Sequence, residues 1–364
     1  MNLKINSSSD WTGVKKPFII SGPCSAESEE QVLQTARELA QTGKVDLLRA
    51  GIWKPRTRPN AFEGIGVKGL SWLKKAGEET GLPVATEVAN SKHVEECLKH
   101  DIDVLWIGAR TSVNPFSVQD IADALKGVNI PVMVKNPINP DLQLWMGALE
   151  RINNAGITQL AAIHRGFSSF EKTPFRNVPK WEIMIELKSH APDLPIICDP
   201  SHIAGNRDLI PLISQKAIDL DMAGLMIESH ISPMTALSDK DQQVKPEELE
   251  TILNELTIRK PTVISPVLQD KLKTLRNDID GIDEHIIELM SSRMEIAGKI
   301  GAYKKDNNIT ILQLQRWDEI VSKRISMGKA MGLSEVFMDK MLQMIHQESI
   351  RIQTEIMNES VVTS

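Results

Sequence analysis

PFIISGPCSAE, residues 17–27, decides the fold. Its apolar start, PFIISGP (17–23), reads as a buried strand, but the turn that follows is not the Gly-x-Gly-x-x-Gly that an open, doubly wound nucleotide-binding sheet would place there. Outward from it the same rhythm returns in DLLRAGI (46–52), PVATEV (83–88), VLWIGAR (104–110), PVMVKN (131–136), LAAIHRG (160–166), PIICDPS (195–201) and GLMIES (224–229). Strands rich in Val, Ile and Leu, separated by about 20 to 35 residues that read mostly as amphipathic helix, need right-handed crossovers, and eight such units close on themselves. The expectation is an α/β fold, a (β/α)8 TIM barrel. A helix signalled by Pro246, Glu247 and Glu248 completes it near Ile258.

Beyond the barrel the character of the chain changes. RKPTVISPV (259–267) reads as a linker, and from there Leu268, Leu272, Leu275, Ile279, Ile282, Ile286, Leu289, Ile296, Ile300 and Tyr303 keep an alternating 4,3 spacing. Arg293 is the one seam position that is not apolar. Such a helix runs about 37 residues, or about 55 Å at 1.5 Å per residue. A segment of this size cannot wrap so long a helix alone, so a homodimer through the helical domain is expected. Two more helices are expected, 311–328 and 335–357, the latter capped by Ser334 with Phe337, Met341, Met344, Ile345 and Ile352 inward. The expected domains are 1–260, a linker 261–267, and an all-α domain 268–364.

Composition limits the partners. The 364 residues are 25% charged and 41% hydrophobic, and 48 acidic against 42 basic side chains leave a net charge of −6. Neither a basic patch for nucleic acid nor an 18-residue apolar run for a membrane is present, and MNLKINSSSD lacks the apolar core of a signal peptide. Small-molecule substrates and a cytoplasmic location are expected. Three cysteines are too few for a disulfide framework.

In a parallel barrel, chemistry collects at the C-terminal ends of the strands. Those ends carry Cys24, Arg49, Lys54, Arg56, Glu87, Arg110, Lys135, His164, Arg165, Asp199, His202, Glu228 and Asp239. Cys24, His202, Glu228 and Asp239 form a mixed thiolate, imidazole and carboxylate set able to hold a divalent transition metal with one position open. Arg49, Lys54, Arg56, Arg110, Lys135 and Arg165 bring six cations to one mouth, which calls for phosphate or carboxylate anions. Cys97 and Cys198 read as core thiols, and His93 as an exposed residue at a helix start.

Within this pattern GPCS (22–25), KPRT (54–57), TEV (86–88), IGAR (107–110), DPSH (199–202) and the stretch from ESH to ALSD (228–239) resemble the compact barrel type of 3-deoxy-D-arabino-heptulosonate 7-phosphate synthase. The resemblance covers residues 17 to about 240. It implies condensation of phosphoenolpyruvate with erythrose 4-phosphate. It further implies that Cys24, His202, Glu228 and Asp239 bind a divalent metal, most naturally Mn²⁺. Arg49, Lys54, Arg110, Lys135 and Arg165 would hold phosphoenolpyruvate, and Arg56 and Thr57 the aldose phosphate. Lys54 would protonate the aldehyde oxygen and Glu87 would steer water to C2. A synthase acting on arabinose 5-phosphate shares the barrel; KPRT argues against it.

The segment from 268 to about 357 resembles the all-helical chorismate mutases. The resemblance places Arg276, Arg293, Lys304, Arg316, Ser349 and Gln353 at the substrate, with Lys304 against the ether oxygen, and explains an arginine on an apolar seam. Gln313 and Trp317 stand where relatives often carry acidic residues. The alternative is that these helices are a non-catalytic chorismate or prephenate sensor and dimeriser. With about 16 residues before the first strand, the helical segment is the expected seat of feedback by prephenate or chorismate.

Overall fold

The computed structural model describes residues 3–6, 17–54, 62–170, 172–259, 265–312 and 314–358. The chain divides into two compact units, Met1–Pro261 and Thr262–Ser364. In the first, parallel strands close a barrel in sequence order: β1 (Phe18–Gly22), β2 (Leu47–Arg49), β3 (Val84–Val88), β4 (Val104–Ile107), β5 (Val132–Lys135), β6 (Leu160–His164), β7 (Ile196–Cys198) and β8 (Gly224–Glu228). β8 returns to β1 through partners running from Phe18 and Gly224 to Gly22 and Glu228. The TIM barrel expected from the sequence is the fold observed.

Each strand is apolar on both faces because both are covered. Ile20, Leu47, Ala85, Trp106, Met133, Ile163, Ile197 and Met226 fill the barrel interior. Their neighbours Ile19, Leu48, Val84, Leu105, Val132, Leu160, Ile196 and Leu225 belong to the layer packed under the helices. The strands are shorter than their motifs: Gly108, Ala109 and Arg110 of VLWIGAR, and Gly51 and Ile52 of DLLRAGI, already lie in the loops that build the mouth.

Side-chain caps fix where the surrounding helices begin. Ser28 accepts from the Gln31 N–H at the start of α1 (Glu29–Gln41), and α2 (Lys68–Thr80) follows β2. Asn90 caps α3 (Ser91–Lys99), Asn114 caps α4 (Pro115–Ala124) and Asp141 caps α5 (Leu142–Asn154). After α6 (Trp181–His190), Asp199 caps the short α7 (Pro200–Ala204), which carries His202. α8 (Ile210–Asp219) precedes β8, and α9 (Pro246–Glu255) closes the ring, with Glu248 accepting from the Lys245 N–H. Each such oxygen satisfies a donor the helix cannot, at about 1 kcal/mol per cap.

Two sequence expectations change here. His93 is half-buried and stacked on Trp53, with ring centroids 3.9 Å apart. His164 does not face the mouth: it is fully buried among Trp145, Phe167 and Trp181, and burial pulls its pKa down to about 3. Cys97 and Cys198 are buried.

In the second unit α10 (Pro266–Asp306) and α11 (Leu314–Ala330) both pack on α12 (Glu335–Asn358). Glycine sets the spacing: a Cβ on Gly301 would sit 3.1 Å from Gln353 Cα, so α10 and α12 meet nearly backbone to backbone. Ser334 caps α12, accepting from the Phe337 N–H. Its phase differs from the sequence reading: Met338 and Leu342 are buried, whereas Phe337 and Met344 are exposed. Leu268, Leu289 and the rest of the apolar α10 seam are exposed within one chain, from 39% at Leu272 to 71% at Leu289. No helix among the described residues is long and apolar enough to cross a membrane.

Candidate active site

The loops after the strands bring the expected residues to one mouth. Lys54, Glu87, Arg110, Lys135, Arg165, His202 and Asp239 line a single cavity there, together with Arg176. Arg56 and Thr57 lie outside the described residues.

One atom each from Cys24, Glu228 and Asp239 falls within 4.8 Å of the other two. His202 joins them from α7, its Nε2 3.8 Å from Glu228 Oε1. Its other nitrogen, Nδ1, is held 2.8 Å from Asp199 Oδ2, and that same oxygen accepts from Lys135 Nζ at 2.8 Å. A ligating histidine is oriented in just this way, by a carboxylate on its second nitrogen. Burial pulls the His202 imidazole below its usual pKa, toward the neutral form a metal needs. Asp199 is held well below the carboxylate range: burial opposes this, but His202 and Lys135 outweigh it.

The donor set tests well against a divalent cation. Glu228 Oε1 lies 3.1 Å from Arg49 Nη1 but receives no hydrogen bond from any described side chain. Burial, and then the Glu228 charge, push the Cys24 thiol up to about 12. Without a cation the sulfur therefore stays protonated, donating to Asp239 Oδ2 at 3.3 Å; a bound metal would take the thiolate. A thiol and two carboxylates within 4.8 Å of one another, with the His202 imidazole beside Glu228, offer the mixed donors that a first-row divalent ion takes.

Around this centre the cations crowd. Arg49 is buried, its Nη2 donating to Cys24 O at 3.0 Å and its guanidinium over the Trp106 ring at 4.8 Å. Lys54 Nζ donates to Cys24 O at 3.1 Å and to Cys24 Sγ at 3.0 Å. Burial works to lower the Lys54 pKa, but its electrostatic interactions with Cys24 and Glu228 outweigh it and the net shift is upward. Arg165, hydrogen-bonded to Asn177 Oδ1 at 2.7 Å, is pulled down to about 10 by burial, with Arg176 and Arg110 adding like-charge repulsion. It remains a cation near neutral pH. Six cations, Arg49, Lys54, Arg110, Lys135, Arg165 and Arg176, thus gather around the four carboxylates of Glu87, Asp199, Glu228 and Asp239, an excess of positive charge that can attract an anion.

Sequence reasoning missed Arg176. Its Nη1 donates to Asp239 Oδ1 at 3.0 Å and to Gln242 Oε1 at 2.6 Å, while Gln242 Nε2 donates to Glu228 Oε2 at 2.7 Å. Gln243 Oε1 accepts from the Cys24 N–H at 2.8 Å. These side chains tie three of the four candidate ligands together from behind. Nothing in the run of residues between β6 and α6 marked Arg176 as different from a surface arginine.

The helical unit gathers a second group. Arg293 Nη1 donates to Ser349 Oγ at 2.6 Å, and Gln353 Nε2 donates to Ser349 O at 3.2 Å. Gln353 Oε1 is buried without a hydrogen-bond partner among the described residues. The buried Lys304 Nζ donates to Ile311 O at 2.6 Å. Trp317 stacks on His346, whose pKa is lowered by burial and by Arg293 and Lys304 nearby. Arg276 is exposed and 17 residues from Arg293 on the same helix, about 25 Å along it. The side chain of Arg316, like Gln313 as a whole, lies outside the described residues.

Comparison with known proteins agrees with both halves. Residues 3–262 match the family model described as DAHP synthetase I family, and residues 275–354 the one described as chorismate mutase type II. A phospho-2-dehydro-3-deoxyheptonate aldolase from Thermotoga maritima is 35% identical over 239 residues, 65% of this chain and 68% of its own. A 2-dehydro-3-deoxyphosphooctonate aldolase from Vesicomyosocius okutanii is 27% identical, over 67% of this chain and 91% of its own. The crystal structure of the Thermotoga maritima DAHP synthase superposes with a TM-score of 0.59 at 33% identity, covering 65% of this chain and 67% of that one. The chain belongs to the DAHP synthetase I family and carries a chorismate mutase type II domain later in its sequence.

Proposed function

We propose that the barrel, residues 1–260, condenses phosphoenolpyruvate with erythrose 4-phosphate in a metal-dependent reaction, and that the helical domain, residues 268–364, rearranges chorismate to prephenate. The observation that carries the first part is the juxtaposition at one mouth of a four-residue donor set with a ring of cations. In this reading Arg49, Lys54, Arg110, Lys135 and Arg165 hold the phosphate and carboxylate of phosphoenolpyruvate, with Arg56 and Thr57 on the aldose phosphate. Cys24, His202, Glu228 and Asp239 would hold a divalent ion, Mn²⁺ by preference, which supplies Lewis-acid polarisation of the aldehyde oxygen. C3 of the enol attacks the aldehyde carbon as Lys54 delivers a proton to the aldehyde oxygen. Glu87 directs a water to the cationic C2 and takes one of its protons; the C2 hydroxyl so formed passes its remaining proton to the departing phosphate as the bond from C2 to the phosphate oxygen breaks and the ketone forms.

In the helical domain nothing need gain or lose a proton. Arg293, with Arg316, suits the carboxylates, Lys304 and Gln353 suit the ether oxygen where charge develops, and Ser349 fixes Arg293. Two copies of the chain pair through the exposed α10 seam. Arg276, about 25 Å along α10 from Arg293, reaches beyond any side chain's length and serves the partner's pocket. Prephenate or chorismate bound there slows the barrel. The reading places the enzyme in the cytoplasm.

The test is direct: the whole chain is given phosphoenolpyruvate with erythrose 4-phosphate or arabinose 5-phosphate, and separately chorismate. Phosphate release with erythrose 4-phosphate and loss of chorismate are the expected results. Release with arabinose 5-phosphate alone would reassign the barrel. Binding of chorismate without turnover would make the helices a sensor.

A further inference from the structure

We infer that Trp106 is a positioning residue for the condensation, holding the Glu87 carboxylate through its indole N–H while its ring face carries the cations of the anion site. This rests on the reading of the barrel given above. Trp106 is 1% exposed, at the top of the barrel's inner core, where an apolar side chain would suffice for packing. Besides its apolar neighbours it meets three polar groups. Nε1 donates to Glu87 Oε2 at 2.9 Å, the Arg49 guanidinium lies over the ring at 4.8 Å, and Lys135 Nζ is 5.8 Å from its centroid.

The contact is built by register. Glu87 on β3 and Trp106 on β4 are direct cross-strand partners, so the two side chains rise side by side at the mouth. Gly108 completes the seat: a Cβ there would fall 2.1 Å from Glu87 Oε1, so only glycine lets the carboxylate lie beside the indole. With Oε2 engaged by a donor that has no acceptor capacity, Oε1 is the oxygen left to face a water in the cavity that Glu87 lines. One rigid ring therefore sets the direction of the base and supports the cations that hold the other reactant.

Trp106→Phe keeps an aromatic face and removes the N–H. Expected is a loss of about tenfold in kcat with the KM for phosphoenolpyruvate held within about threefold, the pattern of an interaction used in the chemical step alone. The same change in a Glu87→Ala background should lose nothing further, since residues acting through one another are not additive. The difference ultraviolet resonance Raman spectrum, wild type minus Glu87→Ala, should show one hydrogen-bonded indole lost whether or not the enzyme turns over. Wild-type turnover on erythrose 4-phosphate, run alongside, judges the underlying reading separately. A tenfold loss repeated in the Glu87→Ala background, or KM rising in step with falling kcat, would overturn the inference, as would a Raman difference without an indole change.

Discussion

Removing the ammonium of Lys135 or the guanidinium of Arg165 should lower kcat/KM for phosphoenolpyruvate by about 2 to 5 kcal/mol, the cost of breaking a desolvated charge pair. Lys135 carries a second load, because Asp199 Oδ2 accepts from it and also sits against His202. Lys135→Ala should therefore also weaken Mn²⁺ binding, measured by titration calorimetry, whereas Arg165→Ala should leave it unchanged. Equal weakening in both variants would contradict this division. In the helices, Arg293→Ala should abolish chorismate turnover with a melting temperature equal to or above wild type, since a charge leaves an apolar seam. A large drop in melting temperature would mark Arg293 as a structural partner of Ser349 instead. Cys24, Glu228 and Asp239 were legible from sequence because they stand at strand ends in short polar motifs. Trp106 was not: in VLWIGAR it looks like any core residue, and only the β3–β4 register reveals its partner.

At the scale of elements, periodicity carried the barrel because a strand covered on both faces must be apolar throughout, and the chain repeats that signature eight times. The ends of the strands were overread, since Gly108 and Gly51 belong to loops by conformation though not by polarity. His164 shows why a polar strand end is a weak marker: alternation sends it outward, under the Trp181 ring, while the adjacent Arg165 turns in. The phase of α12 was misread for a related reason, because its apolar residues ring the helix and only packing on the neighbouring helices, Met338 against Gly328 of α11 among them, selects the buried set. The close approach at Gly301 offers an element-scale test. Gly301→Leu should force α10 from α12, whose Gln353 Cα is the nearest atom, and remove mutase activity while the synthase rate stays within about twofold. An unchanged mutase rate would show that the interhelical spacing is not what assembles Lys304, Ser349 and Gln353.

For the whole molecule, the proposed feedback, in which prephenate held by the helical unit slows the barrel, must act in both directions, because linkage is reciprocal. Prephenate titrated into the full chain should slow phosphate release with a coupling of about 1 to 3 kcal/mol, and phosphoenolpyruvate should alter prephenate affinity by the same factor. Arg293→Ala should relieve the inhibition. Inhibition of equal strength in that variant would place the inhibitor at the barrel. The most direct test of the central claim, that Cys24, His202, Glu228 and Asp239 form the metal centre of a condensing barrel, is a Mn²⁺ titration of the chelated full chain with bound metal and condensation rate followed together. Both should rise in step to one ion per chain in the wild type, and Cys24→Ala should require far more Mn²⁺ to bind and to turn over; full rate in the chelated enzyme with no metal bound would contradict it.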